Sequence, residues 1–233
     1  LLVDHPMELQ PIAASARSLT SIAFERLRSD ILGGELLPRE RLPIQALSER
    51  YQVGATAIRE ALSRLVPEGL VACADQRGFS VTSVSRADLL DLTETRVRIE
   101  QMALQLAIEH GDIEWESRLL SAFHRLSRAP APTSPELATQ WSTVHRAFHE
   151  TLVGGCSSPW TLRLCTLLYD KSERYRNLAK QTTRERGRDV AAEHQSLMDA
   201  AMSRNAGLAC QLLRAHFNET TEIILAGGLV GDE

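Results

Sequence analysis

Four of the seven histidines are spaced in a way that suits a metal site. His145 and His149 stand four residues apart, so on a helix both imidazoles project from one face, as a pair of metal ligands requires. His194 and His216 fall on two later stretches of helical pattern and complete a suggestive set. Read by itself, the pair suits a half-buried structural face equally well, with His194 and His216 as ordinary polar positions. The cysteines (Cys73, Cys156, Cys165, Cys210) form no C-x-x-C pair and read as the reduced thiols of a cytoplasmic protein.

A second chemistry lies nearer the start. Gln52-Val53-Gly54 reads as a turn between two short helical runs, Ile44 to Tyr51 and Ala55 to Pro67. In a helix-turn-helix the second helix enters the major groove of double-stranded DNA, and its first turn reads the bases. Here that helix offers Thr56 and Arg59, with Arg64 further along. Arginine suits guanine edges and phosphates, and threonine suits phosphate or a thymine methyl. Arginine also dominates the basic residues, since Lys171 and Lys180 are the only lysines. The pattern alone leaves open a plain helical hairpin with Arg59 and Glu60 solvated.

The elements around these residues make two domains. The chain has 233 residues, 43% apolar and 24% charged, the balance of a globular protein, and no apolar run approaches the roughly 18 residues of a membrane span. The start lacks a basic region followed by an apolar core, so no secretory signal is expected. Residues 1–17 read as a flexible tail. From Leu19 the period is helical, with Ile22, Leu27, Ile31 and Leu32 near one face and Gly33-Gly34 ending the run. Pro38 and Pro43 bracket a connector. Leu70 to Cys73 and Phe79 to Thr82 are β-type runs joined by a polar segment containing Gly78, which signals a hairpin with Arg77 in the wing. Residues 18–83 thus make a winged helix-turn-helix. From Ser85, a capping residue with Asp88 three positions on, the pattern is helical to about Ile108, then over 114–127, 135–153, 159–181, 187–203 and 205–226. Residues 84–233 therefore form an all-helical antiparallel bundle, and the fold class is mainly α. The net charge of −4 argues against a protein that coats nucleic acid, but residues 17–83 hold 9 basic against 8 acidic residues, compatible with a small sequence reader.

The run Leu37-Pro38-Arg39-Glu40-Arg41-Leu42-Pro43, then Val53 to Leu62, Glu68-Gly69-Leu70-Val71 and Gly78-Phe79, resembles the N-terminal domain of GntR-type transcription regulators. Asp91 to Arg96, with Ile99-Glu100, resembles the opening of the helical effector domain of the fatty-acid-regulator-like (FCD) branch. The resemblance covers residues 19–225 and implies a cytoplasmic, ligand-responsive repressor that binds operator DNA as a homodimer. For DNA contacts it implies Gln45, Thr56, Arg59, Arg64, Arg77 and Gly78. Members usually carry Gly at 39, Ser-Arg at 54–55, Pro at 57 and Arg at 45, so this chain lacks two arginines of the common reading set.

FCD-type domains often hold a divalent cation through one Asp and three His. His149, His194 and His216 match the histidines, and His145 occupies the Asp position. Four neutral imidazoles leave a dication at +2 rather than +1, which invites an anion, and nitrogen ligation favours Zn²⁺ or Ni²⁺ over Mg²⁺ or Ca²⁺. Arg96 matches the family's pocket arginine, suited to a bidentate carboxylate contact, although it also suits a surface pair with Glu100 at i,i+4. Arg163, Tyr169, Arg174 and Tyr175 lie on one predicted helix, and some of them are expected to line the same cavity. The implied effector is a small carboxylate, a dicarboxylate or hydroxy acid. His145-x-x-x-His149 with Gly155-Cys156 is most similar to carbon-starvation-type regulators of glutarate and 2-hydroxyglutarate use. Two other classes compete: a metal-dependent hydrolase or lyase, for which Glu193 is the nearest general base although helix geometry turns it away from His194, and a helical adaptor that does not bind DNA.

Overall fold

The computed structural model describes residues 19–74, 77–180, 188–227 and 230. The tail expected over residues 1–17 lies outside them. The chain forms two compact units, the first ending at Thr82 and the second running on from Ser83.

In the first unit α1 (Leu19–Gly33), α2 (Ile44–Tyr51) and α3 (Ala55–Leu65) precede a hairpin of β1 (Val71–Ala74) and β2 (Gly78–Val81). The core face of α1 is Ala23, Phe24, Leu27 and Ile31, while Ile22 and Leu32 are only half-buried. Leu36, Ile58, Leu62 and Leu65 close the core with them. Helix α3 stops at Leu65, short of the expected Pro67: Val66 still has helical backbone angles, but Pro67 has no N–H with which to continue the ladder. The strands pair antiparallel with Val71 opposite Val81 and Ala74 opposite Gly78, each strand starting one residue from its expected bound.

The connector between Pro38 and Pro43 is itself extended and bonds along β2. Arg39 N–H donates to Val81 O (3.1 Å), Val81 N–H to Glu40 O (2.9 Å) and Leu42 N–H to Phe79 O (2.9 Å). Four residues between prolines carry too little pattern to announce a strand, so the sequence gives only a connector there. Entry to this segment places Arg39 in left-handed backbone at φ 66°.

The second unit holds α4 (Arg86–His110), α5 (Ile113–Ser127), α6 (Pro135–Leu152), α7 (Pro159–Lys180), α8 (Val190–Met202) and α9 (Ala206–Ala226). Five of these starts are capped by a side chain that accepts from an N–H three residues on: Ser85, Asp112, Ser134, Asp189 and Asn205. Helix α4 packs against α7 and α9, α5 against α6 and α8, and α8 against α9. Their shared core includes Val97, Leu104, Trp115, Leu119, Phe148, Leu152, Leu197 and Leu213. At the α6–α7 corner, a Cβ on Gly155 would lie 2.7 Å from Ala107 O, so glycine alone lets this corner close onto the end of α4.

Candidate metal centre

The i,i+4 pair on α6 meets one histidine from α8 and one from α9. His145, His149, His194 and His216 are all buried, and one ring nitrogen of each lies within 4.8 Å of the others. His149 Nε2 and His194 Nε2 stand 3.3 Å apart. Four nitrogens placed tetrahedrally about Zn²⁺ would be spaced ~3.4 Å apart, so this pair already has ligand spacing.

The electrostatics agree with that use. Burial first, then the neighbouring imidazoles and guanidinium groups, hold His145 and His149 well below the ordinary histidine range. Burial and His216 take His194 down to about 3. Burial also lowers His216, against the pull of Glu193. All four rings are therefore neutral near pH 7, with a lone pair each to offer. His149 Nδ1 is buried without a partner. An unpartnered buried nitrogen costs folding energy, and four neutral rings packed together offer a cation the lone pairs it needs. The residues present fit a divalent metal.

Supporting groups hold the rings in place. His216 Nδ1 lies 2.6 Å from Glu193 Oε2, which leaves its Nε2 for a ligand role. Arg188 donates to both Glu193 oxygens (2.7 and 2.6 Å), to Thr220 Oγ1 (3.0 Å) and to His216 O (3.0 Å). Burial opposes charge on Glu193, yet Arg188 and His216 outweigh it and hold its carboxyl down at about 2. His145 stacks on Trp141, and its Nδ1 lies 2.9 Å from the Tyr169 hydroxyl and 3.2 Å from Arg176 Nη1. The Tyr169 hydroxyl can accept from Nδ1–H, the tautomer that leaves Nε2 for a ligand role. Arg176 in turn pairs with Glu173.

Arg96 is buried rather than on the surface. Its Nε donates to Glu100 Oε1 (2.5 Å), its guanidinium lies 3.9 Å from the Phe217 ring centroid and 5.1 Å from that of Tyr169, and its Nη2 has no partner. Two cavities flank this ion pair. On the Arg96 side, a space of about 20 Å³, room for a single water, is lined by Thr93, Arg96, Arg176, His216 and Thr221 among others. On the Glu100 side, a cleft of about 280 Å³ runs between α6 and α7.

Of the expected effector contacts, Tyr169 lies in this site. Arg163 is exposed with its guanidinium over the Trp160 ring, and Tyr175 donates to Asp88 beside Val84, Leu89 and Ile224. Neither lines these two cavities, because successive α7 residues turn by 100° and those in step with Tyr169, such as Arg176, are the ones that face them. Arg176 had that signal, seven residues on from Tyr169. Arg188 had none, and Glu193 had only its place beside His194. Glu193 does not stand free as a base: it is tied to Arg188 and His216.

In the first unit Gln45, Thr56 and Arg59 are exposed, with Thr56 and Arg59 in the opening turns of α3. Arg77 and Gly78 lie at the hairpin tip, where Gly78 takes φ 75°. Arg64 lays its guanidinium 4.3 Å from the Phe24 ring centroid. Arg41, which sequence reasoning passed over, is exposed opposite Ser80 on the extended segment beside β2.

A winged helix-turn-helix head joined to an all-helical unit is the architecture of a DNA-binding transcription regulator. Residues 19–81 match the family of bacterial regulatory proteins, gntR family, and residues 91–219 match the FCD domain. The chain is 42% identical to the uncharacterized HTH-type transcriptional regulator BphR of Paraburkholderia xenovorans, over 93% of this chain and 89% of that protein. It is 36% identical to the HTH-type transcriptional repressor GlaR of Escherichia coli, over 89% and 96%. Among solved structures, McbR/YncC of E. coli shares the fold at a TM-score of 0.74 and 21% identity, covering 91% of this chain and 99% of that one. The protein belongs to the GntR family, in the branch with an FCD domain, and is a DNA-binding regulator rather than an enzyme. Among the described residues, no helix is long and apolar enough to cross a membrane.

Proposed function

We propose that the protein is a homodimeric repressor whose helical unit holds one Zn²⁺ or Ni²⁺ and a small carboxylate effector, a dicarboxylate or hydroxy acid, that loosens its grip on operator DNA. The carrying observation is the set of four buried, neutral imidazoles brought together from α6, α8 and α9. His145, His149, His194 and His216 hold the cation, and Glu193 fixes His216 from behind. The cation supplies a positive centre to which a carboxylate binds. Arg96 and Arg176 border the same chamber and orient that carboxylate, while Tyr169 holds His145. Arg59, Thr56 and Gln45 meet the DNA, with Arg77 and Gly78 in the wing and Arg64 at the far end of α3. Glutarate and 2-hydroxyglutarate are the first effectors to try, from the resemblance of His145 to Cys156 to regulators of their use.

Release requires that the effector bind one arrangement of the dimer better than the other, because equal affinity shifts nothing. A coupling of about 1–3 kcal/mol weakens DNA binding roughly 5–150-fold, sufficient for induction. Elemental analysis with native mass spectrometry tests the metal, with about one Zn or Ni per chain expected. His149→Ala should lose that metal and the ligand response while still folding. Full metal occupancy in this variant would overturn the assignment.

A further inference from the structure

The 280 Å³ cleft between α6 and α7 is the larger of the two spaces bordering the imidazole cluster. His149 belongs to the cleft lining and to the cluster, so the cleft opens directly onto a ligand ring. Its walls are Val153 and Leu162 with Cys165, and Thr166 stands exposed on its α7 side. No lysine or arginine lines it; its charged residues are Glu100, paired with Arg96, and Glu150, paired with Arg146. Two of the guanidinium groups beside the histidines, those of Arg96 and Arg176, line the opposite space, which has room for one water; that of Arg188 is tied to Glu193.

This separation constrains an effector whose carboxylate sits at the histidines. We infer that the α6–α7 cleft receives the rest of the effector, and that this part is an uncharged, largely apolar chain or ring. The effector is then a monocarboxylate with an apolar body rather than an acid charged at both ends. A second carboxylate there would lose its water against Val153 and Leu162, face Glu100, and find no cation among the lining residues. A cavity of about 150 Å³ lined by apolar side chains accepts benzene, so this cleft has room for a ring and a short linker. The inference rests on the carboxylate reading proposed above and narrows it to acids with one charged end, which sets glutarate and 2-hydroxyglutarate aside.

Calorimetric titration of the full-length, Zn-loaded protein with acetate, hexanoate and adipate separates the two. Hexanoate and adipate have the same chain length and differ in the second charge. Hexanoate is expected to bind on the order of 100-fold tighter than acetate, from its additional buried methylenes, and adipate at least about 10-fold weaker than hexanoate. Thr166→Trp, made at an exposed position on the cleft wall, should erase the hexanoate advantage and leave acetate binding and zinc content unchanged. Adipate binding as tightly as hexanoate, or a hexanoate advantage that survives Thr166→Trp, would overturn the cleft assignment and leave the carboxylate reading standing. Failure of all three acids to bind the zinc-loaded protein would overturn both.

Discussion

Glu193 offers the sharpest perturbation, because it touches no ligand atom that faces the cluster and yet should govern metal affinity. Its Oε2 sits 2.6 Å from His216 Nδ1, and Arg188 grips both carboxylate oxygens. This arrangement commits Nδ1 as the protonated nitrogen and keeps Nε2 for the cation, besides making the ring more basic. Losing such a partner costs about 10- to 100-fold in metal affinity, or roughly 1.4–2.7 kcal/mol. Two variants separate charge from geometry. Glu193→Gln keeps an oxygen that can accept from Nδ1–H but removes the charge, so its loss should sit at the lower end. Glu193→Leu removes both and should reach the upper end. It also leaves the Arg188 guanidinium, only 7% exposed, without its carboxylate partner, so the apo protein should lose stability as well. A competition titration against a chromophoric zinc chelator at pH 7 reads the affinities, and urea unfolding of the metal-free proteins reads the stability. Zinc affinities of both variants within twofold of the parent would refute the orienting role.

Three further outcomes follow from the geometry. Arg59→Ala should abolish specific operator binding in a mobility-shift assay without altering fold or metal content; unchanged binding would remove Arg59 from the interface. Arg39→Gly should stabilise the protein by ~0.5–1 kcal/mol, because the left-handed backbone strains a residue with a Cβ by about 1–2 kcal/mol and glycine's chain entropy returns only part of that; a urea midpoint that falls would contradict it. The metal-free protein should weaken on acidification below about pH 6.5. Burial holds His194 down at about 3 in the folded state, so the unfolded chain binds the proton first. Each such ring adds a slope of about 1.4 kcal/mol per pH unit across that window, and zinc should be released over the same range. A flat stability profile between pH 6.5 and 5 would count against neutral buried imidazoles.

Much of the scaffold was legible because it rests on local chemistry. Ser85 announced α4 through its bond to the Asp88 N–H, and the Ser134 and Asn205 caps work the same way. Gly78 announced the hairpin through a backbone angle that other residues avoid. Half of the histidine cluster was equally local, since an i,i+4 pair shares a face wherever its helix goes. The convergence of His194 and His216 is different in kind. It depends on how α8 and α9 pack against α6, and only the resemblance pointed to it beforehand. The Arg188–Glu193–His216 chain and the burial of the Arg96–Glu100 pair are likewise products of packing. An i,i+4 ion pair looks the same in sequence whether it faces water or, as here, the Phe217 ring. The extended segment from Arg39 to Leu42 escaped notice because its bonds lie with β2, forty residues downstream.

The corner at Gly155 sets a limit on how this domain can drift in evolution. A methyl group there would collide with main-chain atoms, Ala107 O at 2.7 Å and Ala107 Cα at 3.1 Å, which have no rotamer by which to retreat. Any larger residue must pry the corner outward, and the corner joins the helix bearing His145 and His149 to the helix bearing Tyr169 and Arg176. Descendants can therefore retune what the chamber holds by changing its walls, but in a saturation library position 155 should survive only as glycine.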